Sequence, residues 1–204
     1  MNNCTESMIG PTYANYEDYA VFQVLANLMT FTYLLPSIRE KGGAYGAGVS
    51  ANENGLVTFY SFRDPKVEET YDNFEKGLDS LLDANFSEKD MTEAKLLTFQ
   101  KLDRIQEPSL KGMLAFSRGY TDEHRMKLRL RALEVSKQDI TRVAEKYMVK
   151  AIEEGKTSRV VFGSQHANLE DLQTKKGWTV HNPIDFLSYS YFDQWNKQDN
   201  NAPK

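Results

Sequence analysis

Arg39 and Tyr45 stand six residues apart on either side of a glycine pair, in the string Arg39-Glu40-Lys41-Gly42-Gly43-Ala44-Tyr45-Gly46-Ala47-Gly48. A guanidinium is a fixed fork of hydrogen-bond donors, and a phenol carries one O–H. Gly42, Gly43, Gly46 and Gly48 have no Cβ, so another backbone or an extended peptide can come close to the strand they begin. Arg39 and Tyr45 can both point into the space those glycines leave open. The same residues admit a plainer reading, a tight turn in which a tyrosine shields a thin strand.

The elements that must position this pair follow from periodicity and punctuation. Phe22, Leu25, Leu28, Met29, Thr32 and Leu35 recur at steps of three and four, which predicts a buried helix over 17–38. Pro36 has no N–H to donate, and its ring crowds the carbonyl four residues back, so it should distort the last turn and re-aim Arg39. Gly42 and Gly43 break the helix. Two β-rich runs, 44–51 and 56–62, flank Asn52-Glu53-Asn54-Gly55 and read as a hairpin. Upstream, Gly10-Pro11 is a turn and 12–16 is a short strand or extended lead-in.

Downstream the chain reads as helices. Asp64-Pro65 caps and opens one that ends near Leu82 or Ala84. Ser87 and Asp90 open a second that ends near Ile105, and a short helical piece follows Pro108. Thr121 opens a helix to Glu134, and Ser136 with Asp139 opens another to Ile152, stopped by Gly155. Ser158 to Gly163 is a β-branched run fit for an inner strand, 169–175 a short helix and 178–180 a final short strand. Segregated helices with non-alternating strands give an α+β class, a mostly antiparallel sheet layered with helices.

Composition sets outer limits. The 204 residues are 40% hydrophobic and 26% charged, with a formal charge of −4 and a pI near 5.5. That balance offers no general attraction to nucleic acid or to an anionic membrane. No stretch reads as the ~18 apolar residues of a membrane span. Cys4 is the only cysteine, so no intramolecular disulfide forms. Arg125, Lys127, Arg129 and Arg131 fall at a step of two, which spreads them around a helix as a solvated face instead of an anion patch. The glycine run lacks a P-loop lysine and follows a helix, which makes nucleotide binding a poor reading.

Four pieces in order carry a resemblance: Ile38-Arg39-Glu40-Lys41-Gly42-Gly43-Ala44-Tyr45-Gly46, Phe59-Tyr60-Ser61-Phe62-Arg63-Asp64-Pro65, Pro108-Ser109-Leu110-Lys111-Gly112 and Gly119-Tyr120-Thr121-Asp122-Glu123. With them the chain resembles the C-terminal half of the pitrilysin/insulinase metallopeptidases, on the presequence protease and falcilysin branch, over roughly residues 10 to 180. The resemblance implies an α/β sandwich domain of a longer zinc metalloendopeptidase that degrades unfolded peptides in a chamber closed by two halves. It implies that an N-terminal catalytic half holds the zinc through His-x-x-Glu-His, so no metal is bound in these residues. It further implies an organellar home. The nearest string here, Tyr120-Thr121-Asp122-Glu123-His124, has a tyrosine where the first ligand belongs, and His166 and His181 stand in unrelated loops.

In the resembled family an arginine and a tyrosine of the C-terminal half reach the peptide held at the metal, and Arg39 and Tyr45 match those positions. A phenol O–H can donate to a carbonyl oxygen that becomes an oxyanion, and a guanidinium can anchor main-chain carbonyls. Gly42, Gly43, Ala44 and Gly46 would line the wall and leave room for substrate. The alternatives are a non-catalytic structural subunit and a peptide-binding module of the same fold. The domain is expected over 1–181. From 182 to 204 an aromatic stretch with Phe186, Tyr189, Tyr191, Phe192 and Trp195 gives way to a polar end read as disordered.

Overall fold

The computed structural model describes residues 1–104, 107–110, 112–163 and 178–181. The chain divides into two compact units, Met1–Ser164 and Gln165–Lys204. The boundary expected between 181 and 182 falls inside the second unit, where the helix expected over 169–175 and the aromatic stretch lie outside the described residues. Residues 178–181 form neither helix nor strand, so the short strand expected at 178–180 is not there.

The first unit is built on a four-stranded antiparallel sheet in the order β2-β3-β1-β4, with β1 Asn2–Ile9, β2 Gly46–Ala51, β3 Leu56–Asp64 and β4 Ser158–Gly163. β1 lies where no strand was expected, and 12–15 form a turn instead of a strand. The inward positions of β1 are Asn2, Cys4, Glu6 and Met8, so a hydrophobic alternation cannot reveal it. These polar groups are matched: Asn2 Nδ2 donates to the Asp64 carbonyl at 3.2 Å, and Glu6 meets Arg159 Nε at 3.1 Å. Burial pushes the Cys4 thiol up to about 11, which keeps it protonated and unreactive. β4 is an edge strand among the described residues, not the inner strand expected. Its Val160 and Phe162 point to the open face, 56% and 65% exposed.

α1, Tyr16–Met29, runs on without a break into a π-helical stretch, Thr30–Lys41. Eleven of the fourteen α1 residues are buried, because the helix packs against the sheet at β2 and against α3, Glu88–Leu102, and α5, Asp122–Glu134. By length and composition Tyr16–Lys41 is apolar enough to cross a membrane, contrary to the reading that no stretch is. Over half of its most apolar window is covered by the protein's own core, which gives the apolarity a different reason. Pro36 does more than bend one turn: the whole segment around it is π-wound, and the wider winding accommodates its ring.

α2, Glu68–Leu82, starts later than Asp64-Pro65 suggested. Asp64 closes β3, where its carboxylate accepts from the Lys66 N–H at 2.9 Å and from Thr70 Oγ1 at 2.7 Å. The other starts fall as the capping residues indicate. Ser87 and Ser136 form reciprocal capping boxes with Asp90 and Asp139, opening α3 and α6, Lys137–Val143. Thr121 caps α5. A short α4, Met113–Arg118, precedes α5, and α6 continues through a π-helical turn, Ala144–Val149, into α7, Lys150–Glu153. The architecture is the α+β arrangement expected, one antiparallel sheet with helices packed on its inner face.

Candidate functional site

The turn that carries Arg39 and Tyr45 is fixed by backbone bonds. Gly43 N–H donates to the Arg39 carbonyl at 3.0 Å, Ala44 N–H to the Ile38 carbonyl at 3.1 Å, and Tyr45 N–H across to the Phe62 carbonyl at 3.0 Å. A Cβ on Gly42 would overlap the Ile38 carbonyl, and Gly43 has φ of +84°, a conformation glycine reaches without strain. Ile38 and Ala44 are buried, so the turn is anchored from both sides. Arg39 and Tyr45 then project from a rigid support into solvent, Tyr45 at 67% exposure.

Both side chains line one open depression of about 460 Å3, together with Glu40, Gly43, Ala44, Arg63 and the first residue, Met1. Of the residues singled out in the sequence, Arg39, Tyr45, Gly43 and Ala44 meet there. Gly42 is not on the wall and serves the helix end, while Gly46 faces open space. The β2 edge is less accessible to an extended peptide than its glycines suggest. Val49 N–H donates to Thr30 Oγ1 at 3.1 Å, the Ala51 carbonyl accepts from Gln23 Nε2 at 3.2 Å, and the Tyr60 ring lies over Gly48.

Arg63 is the site residue that sequence reasoning missed. Asn2 pairs with Asp64 and Cys4 with Ser61, so Asn3 alone opposes Phe62 and Arg63, a β-bulge in β3. Arg63 has φ of +49°, costing about 1–3 kcal/mol for a residue with a Cβ. Asn3 Oδ1 accepts its N–H at 3.2 Å and helps to hold it there. The Phe62 ring sits edge-on to Tyr45 with centroids 5.9 Å apart and has the Arg63 guanidinium 6.0 Å above it. Only the tie between Phe62-Arg63-Asp64-Pro65 and the glycine string hinted at this neighbour.

The remaining chemical candidates resolve into structural roles. His124 Nε2 lies 2.8 Å from the Tyr13 carbonyl, and its ring stacks on Tyr13 and Tyr120, so it fastens α5 to the turn before α1 instead of standing in solvent. That environment does not fit zinc, since the nitrogen is engaged and the neighbours are phenols. Among the described residues no group of three or more His, Cys, Asp or Glu is placed to hold a metal. His181 is exposed, and His166 lies outside the described residues. Arg125 pairs with Asp122 at 3.6 Å, Lys127 with Glu123 at 2.8 Å, Arg129 with Asp103, and Arg131 with Glu17 at 3.0 Å. The basic run is thus divided among separate carboxylates.

Asp18 is the most heavily used carboxylate. Its burial alone would raise the carboxyl pKa. Bonds from Lys146 at 2.6 Å, Arg142 at 2.8 Å and Tyr147 at 2.9 Å outweigh that and hold it at about 2. Asp139 is also held at about 2, with burial opposed by Arg131 and by the Ser136 cap.

A family model described as the PreP C-terminal domain matches residues 5–165. The mitochondrial presequence protease of Xenopus tropicalis is 40% identical over 133 residues, covering 65% of this chain and 13% of the relative. That of Yarrowia lipolytica is 37% identical over 166 residues, covering 81% and 16%. The chain therefore spans less than a fifth of the length of these curated relatives. A solved structure titled peptidase M16 inactive domain, from Pseudomonas fluorescens, superposes with a TM-score of 0.62 at 15% identity over 81% of this chain and 42% of that one. At that identity the likeness is one of fold.

Proposed function

Because this chain belongs to the family of PreP C-terminal domains, we propose that it is the substrate-contacting part of a longer zinc metalloendopeptidase that degrades unfolded peptides. In this reading the metal is held by an N-terminal catalytic half outside these 204 residues, and the two halves close around the peptide. The mitochondrial relatives extend the proposal to an organellar home for the parent protein.

The observation that carries the reading is the convergence of Arg39 and Tyr45 on one open depression from a turn held by backbone hydrogen bonds. The Tyr45 hydroxyl is a donor for a peptide carbonyl whose oxygen gains negative charge as it is attacked, a role that grows in the transition state. The Arg39 fork anchors neighbouring main-chain carbonyls and acts on bound peptide and transition state alike. Gly43 and Ala44 keep the wall low beneath them.

The test is to assay this chain and its parent side by side on a labelled unfolded polypeptide and on the same polypeptide folded. The reading expects no hydrolysis and far less than one zinc per chain from the 204 residues alone. It expects the parent to cut the unfolded form in preference to the folded one. A parent with no hydrolytic activity would instead support a structural subunit or a peptide-binding module, and equal cleavage of both forms would remove the closed chamber.

A further inference from the structure

Seven of the nine arginines of this protein fall into two groups, and the exposed Arg104 belongs to neither. Arg129, Arg131, Arg142 and Arg159 each face a carboxylate from elsewhere in the fold, and Arg125 faces Asp122 one turn back on its own helix. Arg39 and Arg63 are exposed, line the same depression, and have no carboxylate partner among the described residues. Glu40 shares the wall but forms no ion pair with either of them. Arg63 reaches this position through a bulge and a left-handed backbone conformation, held by Asn3, and bulges of this kind re-aim a side chain beside a site. Beneath it the Phe62 face supplies a platform shared with Tyr45.

Resting on the peptide-binding reading above, we propose that Arg63 is a second anchor beside Arg39 and that it holds a carboxylate of the bound peptide. The chemistry is that of an anion received by a guanidinium fork, which forms stronger hydrogen bonds to a carboxylate than to a neutral carbonyl. The carboxylate is a free C-terminus or an aspartate or glutamate side chain. Main-chain recognition by Arg39 and Tyr45 fixes how the peptide lies. Arg63 adds a preference for where it carries negative charge.

Three fluorescent peptides of one unfolded sequence separate the sources: one with a free C-terminus and one glutamate, one with the C-terminus amidated, and one with the glutamate replaced by glutamine. Equilibrium binding to the 204-residue chain is measured for the wild type, Arg63→Gln and Arg63→Lys. The proposal expects roughly tenfold weaker wild-type binding when the docking carboxylate is removed, by whichever substitution removes it. Arg63→Gln should weaken the parent peptide by a similar factor and leave the peptide lacking that carboxylate unchanged. Arg63→Lys should recover part of the loss.

Equal wild-type affinity for all three peptides, no measurable affinity for any, or a uniform effect of Arg63→Gln would overturn it. An unchanged melting temperature for Arg63→Gln separates lost recognition from lost folding. Binding requires no cleavage, so a parent enzyme that cuts peptides through Tyr45 while Arg63→Gln changes nothing would spare the proposed function and reject the anchor.

Discussion

Two clusters of charge in this molecule use the same side-chain types in opposite ways. Around Asp18, on the first turn of α1, three donors from α6 and its π-helical extension close on one buried carboxylate, and each partner's charge is answered within the protein. Around Tyr45, two arginines stand exposed on hydrogen-bonded backbone with no carboxylate to meet among the described residues. The first arrangement holds α1 to the C-terminal helices. The second leaves its donors to whatever enters from outside. Satisfied charge holds the architecture, and the unsatisfied donors that share the depression carry the proposed binding surface.

The comparison breaks most sharply in kinetics. In the proposed parent enzyme, Tyr45→Phe should lower kcat by roughly 10²- to 10³-fold with zinc content and melting temperature unchanged. Arg39→Ala should also raise KM. A substitution in the architectural cluster should do the reverse. Asp18→Ala should cost about 2 kcal/mol in urea unfolding, since Lys146 and Arg142 are half exposed and can rehydrate, and should leave KM within about twofold.

Acid sharpens the same contrast. Asp18 and Asp139 have folded pKa values depressed to about 2 from an ordinary 3.8. Their stabilisation is therefore complete above the unfolded value and is lost as pH falls through the folded one. Unfolding free energy measured from pH 5 down to pH 2 should fall along this window, and Asp18→Asn should flatten the slope. Smaller still, Ser136→Ala removes a helix cap and should cost about 1 kcal/mol. Smallest of all, Arg39→Gln should change stability by less than about 0.5 kcal/mol, because the exposed arginine has no ion-pair partner to lose among the described residues.

Local chemistry was readable where a residue acts on its own neighbours in sequence. The caps at Ser87, Thr121 and Ser136 fixed three helix starts, and the Gly42-Gly43 break located the turn that sets Arg39 against Tyr45. What depended on distant pairing was not readable. β1 turns Asn2, Cys4 and Glu6 inward because Asp64, Lys66 and Arg159 wait for them, and nothing near residue 6 announces Arg159. Arg63 belongs to the site only because Asn3 faces two residues of β3 where a regular ladder would face one. Strand 158–163 carries the β-branched residues of an inner strand, yet its position is set by which neighbour β1 has left to pair.

The central claim is that peptide meets this domain at the depression between Arg39, Tyr45 and Arg63. The most direct test is a photoreactive unfolded peptide bound to a catalytically silenced parent enzyme, followed by mapping of the adducts on this chain. The account predicts labels concentrated on 39–45 and 62–63, diminished in Arg39→Ala. Labels confined to other surfaces, such as the helical face of α5, with the depression untouched, would contradict it.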